Sequence, residues 1–224
     1  MKNLRNRIAT ARQSGFTLVE IAIVLVIIGL LLVGVLQGQE MIENGKVKSL
    51  VNNMKGVQAA YYTYWDRFQA VPGDDSIANT RFTGAAFGGG NGLIAGAFNA
   101  VAVPAVAAES NNFWQHMRAS GLLSGTGTNP APNNFGGVIG VQSQNALASA
   151  YGMVGNLVCA SNVPWRVALA IDAQLDDGNS DTGKLRAGAI GIVVPVVAVS
   201  SAYGPAVAAT AAAEAGLHTI CMKL

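Results

Sequence analysis

The stretch that most constrains this chain is residues 14–33, SGFTLVEIAIVLVIIGLLLV. Residues 16–36 form an apolar run of 21 residues with a single charge, Glu20. At about 1.5 Å per residue, one helix of that length crosses a hydrocarbon core about 30 Å thick. A carboxylate at the centre of such a span costs about 2.5–3.5 kcal/mol on insertion scales and less toward the interface, so an intramembrane glutamate calls for a partner. The run therefore predicts a membrane segment, and Glu20 predicts that the segment does more than anchor.

Charge sets its orientation. The formal net charge is +2, but Lys2, Arg5, Arg7 and Arg12 all precede the run with no acidic residue among them. Without those four, the 14 basic residues fall to 10 against 12 acidic ones, a balance of −2. The positive-inside rule places residues 1–15 in the cytoplasm and sends the remainder across the membrane. The only basic cluster flanks a membrane, so nucleic acid is not an expected partner. The 224 residues suffice for one span and one domain with a substantial core. The two cysteines, Cys159 and Cys221, are an even pair in an exported domain and predict a disulfide; two buried thiols are the alternative.

A basic region followed by an apolar stretch also begins a secretory signal peptide. Here the stretch is longer than a signal core, and its far end, VLQGQEMIEN, lacks a small-x-small cleavage pattern. The small residue, Gly15, stands before the run instead, so a cut there would remove the charges and keep the apolar segment. This order, a Lys/Arg leader and then GFTLVEIAIVLVIIGLLL, resembles the type IV prepilin class, which comprises type IV pilins and the pseudopilins of type II secretion. The resemblance implies that a prepilin peptidase/methyltransferase cuts between Gly15 and Phe16 and methylates the new N-terminus on Phe16. It also implies that Glu20 is the assembly residue. The free amine of Phe16 is a cation at the depth of Glu20, and such a pair attracts far more strongly in low dielectric than in water. An intrachain contact is within reach because four residues span about one turn. The resemblance implies the contact between subunits, in which an incoming amine meets a neighbour's glutamate and sets its register. The plain alternative is an interfacial glutamate with no role.

Apolar residues continue at helical spacing through Val47, Leu50, Val51, Met54, Val57, Tyr61, Tyr64, Trp65 and Phe68, with Lys46, Lys48, Asn52, Asn53, Lys55 and Asp66 between them. One helix over 16–68 is predicted, ended by Pro72 and Gly73. Gly34 and Gly38 make a small-xxx-small pair that allows helices to approach closely. The expected organisation is a cleaved leader at 1–15, a transmembrane and assembly helix at 16–36, an amphipathic continuation at 37–71 and an exported domain at 72–224. In the exported domain, residues 85–110 are low in complexity and read as a surface excursion. NNFWQHMRASGLL predicts a helix capped by Ser110 or Asn111, and PWRVALAIDAQLDDG a second with Pro164 in its first turn and Gly178 as its stop. Strands are expected in FGGVIGVQ, YGMVGNLVC, AGAIGIVVPVVAVSS and LHTIC; VAATAAAEAG fits helix or loop. The fold class is α+β, a long N-terminal helix packed on a small, mostly antiparallel sheet, as the pilin resemblance implies.

Two kinds of chemistry remain to be weighed. The loop AQLDDGNSDTGKL spaces Asp177, Asn179 and Asp181 as alternating oxygen ligands, with Asp176 adjacent, and Asp172 with Asp176 offers a different calcium shell. No carboxylate stands at the twelfth position to close an EF-hand, so a solvated Asn/Asp-rich turn is the alternative to calcium. Enzyme signatures are poor: His116 and His218 are the only histidines, and no zinc, nucleophile-elbow or phosphate-loop motif occurs. The cluster YYTYWDRF reads as a helix face buried on the sheet rather than as a stacking platform. The expectation is a non-enzymatic subunit of a type IV pilus. It would polymerise with itself and engage inner-membrane assembly machinery, first in the inner membrane and then in a surface filament. The rivals are a type II secretion pseudopilin in a periplasmic filament and a minor tip pilin with an adhesive domain.

Overall fold

The computed structural model describes residues 16–101, 108–144, 152–189 and 216–224. In chain order these hold α1 (Leu18–Phe68), α2 (Ala78–Arg81), α3 (Glu109–Ala119), β1 (Ala131–Pro132), β2 (Val138–Gln144), β3 (Gly155–Pro164), α4 (Trp165–Leu175), β4 (Leu185–Ala189) and β5 (Leu217–Lys223). The strands form one sheet in the order β1-β2-β3-β5-β4, and every neighbouring pair is antiparallel. The chain divides into two units, residues 1–44 and residues 45–224.

The first unit holds the apolar part of α1. Every residue from 16 to 37 is exposed in the single chain, and α1 is the one helix among the described residues long and apolar enough to cross a membrane. In the second unit, α1 turns one face to the core: Val47, Leu50, Val51, Met54, Val57, Tyr61 and Tyr64 are buried. They pack with Ile139 and Val141 of β2, Val158 of β3, Leu185 of β4 and Ile220 of β5. Polar ties complete the contact, since the Gln58 amide donates to Lys223 O at 3.0 Å and the Asn156 amide to the Tyr61 hydroxyl at 3.0 Å. Tyr62 and Trp65 are the exceptions to the expected buried aromatic face, at 52% and 45% exposure. They stand one residue beyond Tyr61 and Tyr64, about 100° further round the helix, so the period that buries one pair exposes the other.

Period-two alternation gives the sheet a second apolar face. Leu157, Cys159 and Cys221 point away from α1 and cluster with Phe98 and Met153. The 85–110 stretch, expected to be a surface excursion, has most of its described residues 85–101 exposed, but Phe98 also packs on this face and Ile94 joins the core under α1. Ile94 and Phe98 are buried, Ser143 N–H donates to Ile94 O at 2.8 Å, and Phe98 N–H donates to Gln142 Oε1 at 3.1 Å. Gly140 permits the crossing, because a Cβ there would lie 1.8 Å from Phe98 O. Cys159 and Cys221 stand opposite each other on β3 and β5 and are disulfide-bonded over a sequence separation of 62. Closing a loop of that size contributes about 4 kcal/mol on the chain-entropy account.

Both predicted domain helices form, with different ends. α3 begins at Glu109, so Ser110 and Asn111 lie inside its first turn and are buried rather than capping; Ala108 takes the cap position without a side-chain bond. Pro164 is the residue before α4 rather than in its first turn, and the helix stops at Asp176, ahead of Gly178. β4 starts two residues before AGAIGIVVPVVAVSS, the rest of which, like nearly all of VAATAAAEAG, lies outside the described residues.

Behind α3 the chain builds a buried polar knot. The Asp75 carboxylate accepts from the Tyr64 hydroxyl at 2.7 Å and pairs with Arg81 at 2.5 Å. Gly73 N–H donates to His116 Nδ1 at 2.9 Å, which fixes the tautomer and lets Nε2–H donate to Ala86 O at 2.7 Å. Burial holds the His116 pKa below its ordinary value, opposed by the Ala86 bond and the Asp75 charge. The unfolded chain thus takes up a proton before the folded one does, so stability is complete above about pH 6.5 and declines as pH falls below it. Urea midpoints measured from neutral to acid pH should show this decline, and His116→Gln should flatten it; an unchanged slope in the variant would contradict the assignment.

Candidate functional site

α1 opens on a reciprocal cap. Thr17 immediately precedes the helix, and its hydroxyl accepts the Glu20 N–H at 3.3 Å. Glu20 Oε2 in turn accepts the Thr17 N–H and the Thr17 hydroxyl, each at 2.8 Å. This is the T-x-x-E capping box, and TLVE carries it in the sequence. In hydrocarbon, unpaired backbone groups cost several kcal/mol each, so the arrangement gives Glu20 a use within its own chain. Both bonds run to Oε2, leaving Oε1 without a donor among the described residues. Phe16, 84% exposed, is the first described residue, and Gly15 lies outside them.

The apolar surface beyond the cap has no cover among the described residues. Leu18, Leu30 and Leu36 are 90%, 70% and 66% exposed, and a Cβ added at Gly29, Gly34 or Gly38 would meet nothing within 4 Å. Each helix-interior glycine costs about 1 kcal/mol relative to alanine, and no packing among the described residues requires it. The head of α1 is thus a capped carboxylate on an apolar rod with small residues further along.

The acidic loop after α4 gathers Asp176 and Asp177 of the expected set with Asp172, the residue offered with Asp176 as a different calcium shell. Carboxylate oxygens of Asp172, Asp176 and Asp177 all lie within 4.8 Å of one another. Asp172 is fully buried, and Gly178 N–H donates to it at 3.3 Å. Asp176 Oδ2 accepts Leu185 N–H at 2.9 Å and Lys184 N–H. That carboxylate is seated over Gly183, whose positive φ of 76° and missing Cβ both matter, since a Cβ would fall on Asp176 Oδ2. Asp177 accepts the Thr182 hydroxyl and Asn179 N–H, which hold its carboxyl below the ordinary range. Asn179 Oδ1 accepts Asp181 N–H at 3.1 Å, and Asp181 stands outside the gathered group with the Ser180 hydroxyl donating to it at 3.0 Å. Hard carboxylate oxygens converging this closely suit a cation such as calcium in donor type.

Residues 10–36 match the family model of the prokaryotic N-terminal methylation motif. The match spans about an eighth of the chain, and it supports the type IV prepilin and pseudopilin class, whose members are structural proteins. The comparison with curated proteins and that with solved structures return no match. The motif, the long apolar helix and the disulfide together fit an inner-membrane precursor processed by a prepilin peptidase.

Proposed function

We propose that this chain is a non-enzymatic structural subunit of a type IV pilus, assembled with copies of itself through α1 after cleavage between Gly15 and Phe16 and methylation of Phe16. The observation that carries the reading is the head of α1, where the methylation motif coincides with an exposed apolar helix that begins on the Thr17–Glu20 cap. In a filament, neighbouring helices cover that surface, and Gly34 and Gly38 allow them to come close. Glu20 Oε1 accepts the Phe16 amine of an adjacent subunit while Oε2 keeps Thr17. The assembly machinery of the inner membrane is the second partner, and the exported domain forms the filament's outer surface.

A type II secretion pseudopilin is the second reading, favoured by one observation, the gathering of Asp172, Asp176 and Asp177. Those three residues would hold calcium, whose charge would neutralise the cluster. Fractionation and calcium separate the readings. As a pilus subunit, the chain is abundant in filaments sheared from the cell surface, and its Tm is unchanged between calcium and EDTA. Retention in the periplasm, with a Tm that rises by several degrees on calcium addition, would transfer the assignment to the pseudopilin.

A further inference from the structure

Past its apolar run, α1 carries two bands of opposite charge. Residues 37–44 include Glu40 and Glu43 and no basic residue, whereas residues 45–55 include Lys46, Lys48 and Lys55 and no acidic one. Glu40, Glu43 and Lys48 are exposed, and none of the three has an ion pair or side-chain hydrogen bond among the described residues. Lys46 is engaged within its own chain, its Nζ 6.0 Å from the centroid of the Phe135 ring. Glu43 stands about 10 Å past Leu36 at about 1.5 Å per residue, so these charges lie beyond the apolar span. An exposed ion pair there adds little stability. Bands of opposite charge nevertheless discriminate between registers, because a wrong alignment brings like charges together.

Two parallel copies of α1 at the same height set Glu40 and Glu43 against the same carboxylates and Lys48 against Lys48. Phe16 and Glu20 are four residues apart, so pairing one copy's Phe16 amine with the next copy's Glu20 slides the two helices by about 6 Å. That slide sets Glu43 of the first copy level with residue 47 of the second, between Lys46 and Lys48. An equal slide the other way sets Glu43 level with residue 39, beside Glu40. The charge bands therefore favour the same direction and size of shift as the pair at the head of the helix. Lys48 is five residues beyond Glu43, about 140° round the helix, whereas Lys46 lies within about 60° of Glu43. A contact from the Glu43 face of one copy to the Lys48 face of the next joins two different surfaces, which propagates without closing, as a filament requires. Helix axes about 8–10 Å apart leave a glutamate and a lysine at one level within reach of each other.

We propose that Glu43 of each subunit pairs with Lys48 of the next, a second contact between copies of this chain that sets their axial register; the inference rests on the proposed assembly through α1. The test measures chain in sheared filaments against total processed chain in cells expressing the full chain. Glu43→Lys and Lys48→Glu should each lower that ratio by about fivefold or more, since each replaces attraction by repulsion at every subunit contact. The two together should restore it to within about twofold of wild type, and Glu43→Lys with Lys46→Glu should not. A neutral set decides the matter even where a reversed charge disturbs insertion: Glu43→Gln with Lys48→Gln should be no worse than either change alone, as expected of two residues serving one contact. Single variants at wild-type yield, a reversed pair that fails to recover while the neutral losses add in full, or equal recovery with Lys46→Glu would overturn the pairing and leave assembly through α1 standing. Absence of the wild-type chain from filaments would overturn both.

Discussion

Glu20→Gln is expected to abolish filaments while leaving the precursor inserted, cleaved and folded. Glutamine at this position preserves the capping box, because E and Q serve that motif equally, and it removes only the charge. If Glu20 meets the amine of a neighbouring Phe16, the substitution leaves a cation unpaired in low dielectric. Breaking a buried pair in this way costs about 3–5 kcal/mol, a factor of at least about one hundred in each subunit contact. Thr17→Ala provides the control. It removes the hydroxyl from the cap and costs about 0.5–2 kcal/mol of helix stability, but it leaves the carboxylate charged, so filament yield falls only moderately. Quantifying sheared filaments against total membrane-bound chain separates the two effects. Equal defects in Glu20→Ala and Thr17→Ala, with Glu20→Gln behaving as wild type, would reduce Glu20 to a cap residue and refute the pairing.

Gly15→Val should block processing outright. The proposed cut lies between the last residue of the basic leader and Phe16, and a branched side chain there occupies the space that a peptidase needs around the scissile bond. The chain then keeps residues 1–15 with their four positive charges, exposes no amine at Phe16 and cannot form the intersubunit pair, so filaments vanish for a different reason than in Glu20→Gln. Intact-mass measurement distinguishes them: the Gly15 variant carries the full leader, whereas the Glu20 variant has the mass of a methylated chain beginning at Phe16. A normally shortened Gly15→Val would remove the processing assignment.

The parts of this account legible in the sequence are those in which one physical force dominates. The 16–36 run and the apolar positions from Val47 to Tyr64 follow from periodicity alone, and α1 spans Leu18–Phe68 with only its first two expected residues outside the helix. The cysteines could be paired because there are two of them. What the sequence hid depended on contacts made from a distance. The 85–101 segment has too little patterning to show that Phe98 closes the second face of the sheet while Ile94 joins the core under α1, and Gly140 gains its meaning only from Phe98 O above it. Ser110 and Asn111 have the chemistry of caps, yet burial against neighbouring loops draws them into α3; the Asn111 amide donates to Ala100 O at 2.8 Å. D-x-N-x-D spacing pointed to Asp181, but the turn spends Asn179 on Asp181 N–H, and Asp172 with Asp176, the other shell the sequence offers, is the pair that gathers with Asp177. TLVE carries the capping box in the sequence, where the same glutamate also fits a partner from outside its own chain, and the bonds between Thr17 and Glu20 show the first of these uses.

The central claim is that the processed chain is the repeating unit of a surface filament held by its N-terminal helices. Immunogold electron microscopy of native cells with antibody to residues of the exported domain tests it most directly. The account predicts label at regular density along the full length of extracellular filaments in the wild type and its disappearance in Glu20→Gln. Label confined to filament tips or to the periplasm, or persisting along filaments of the Glu20→Gln strain, would contradict it.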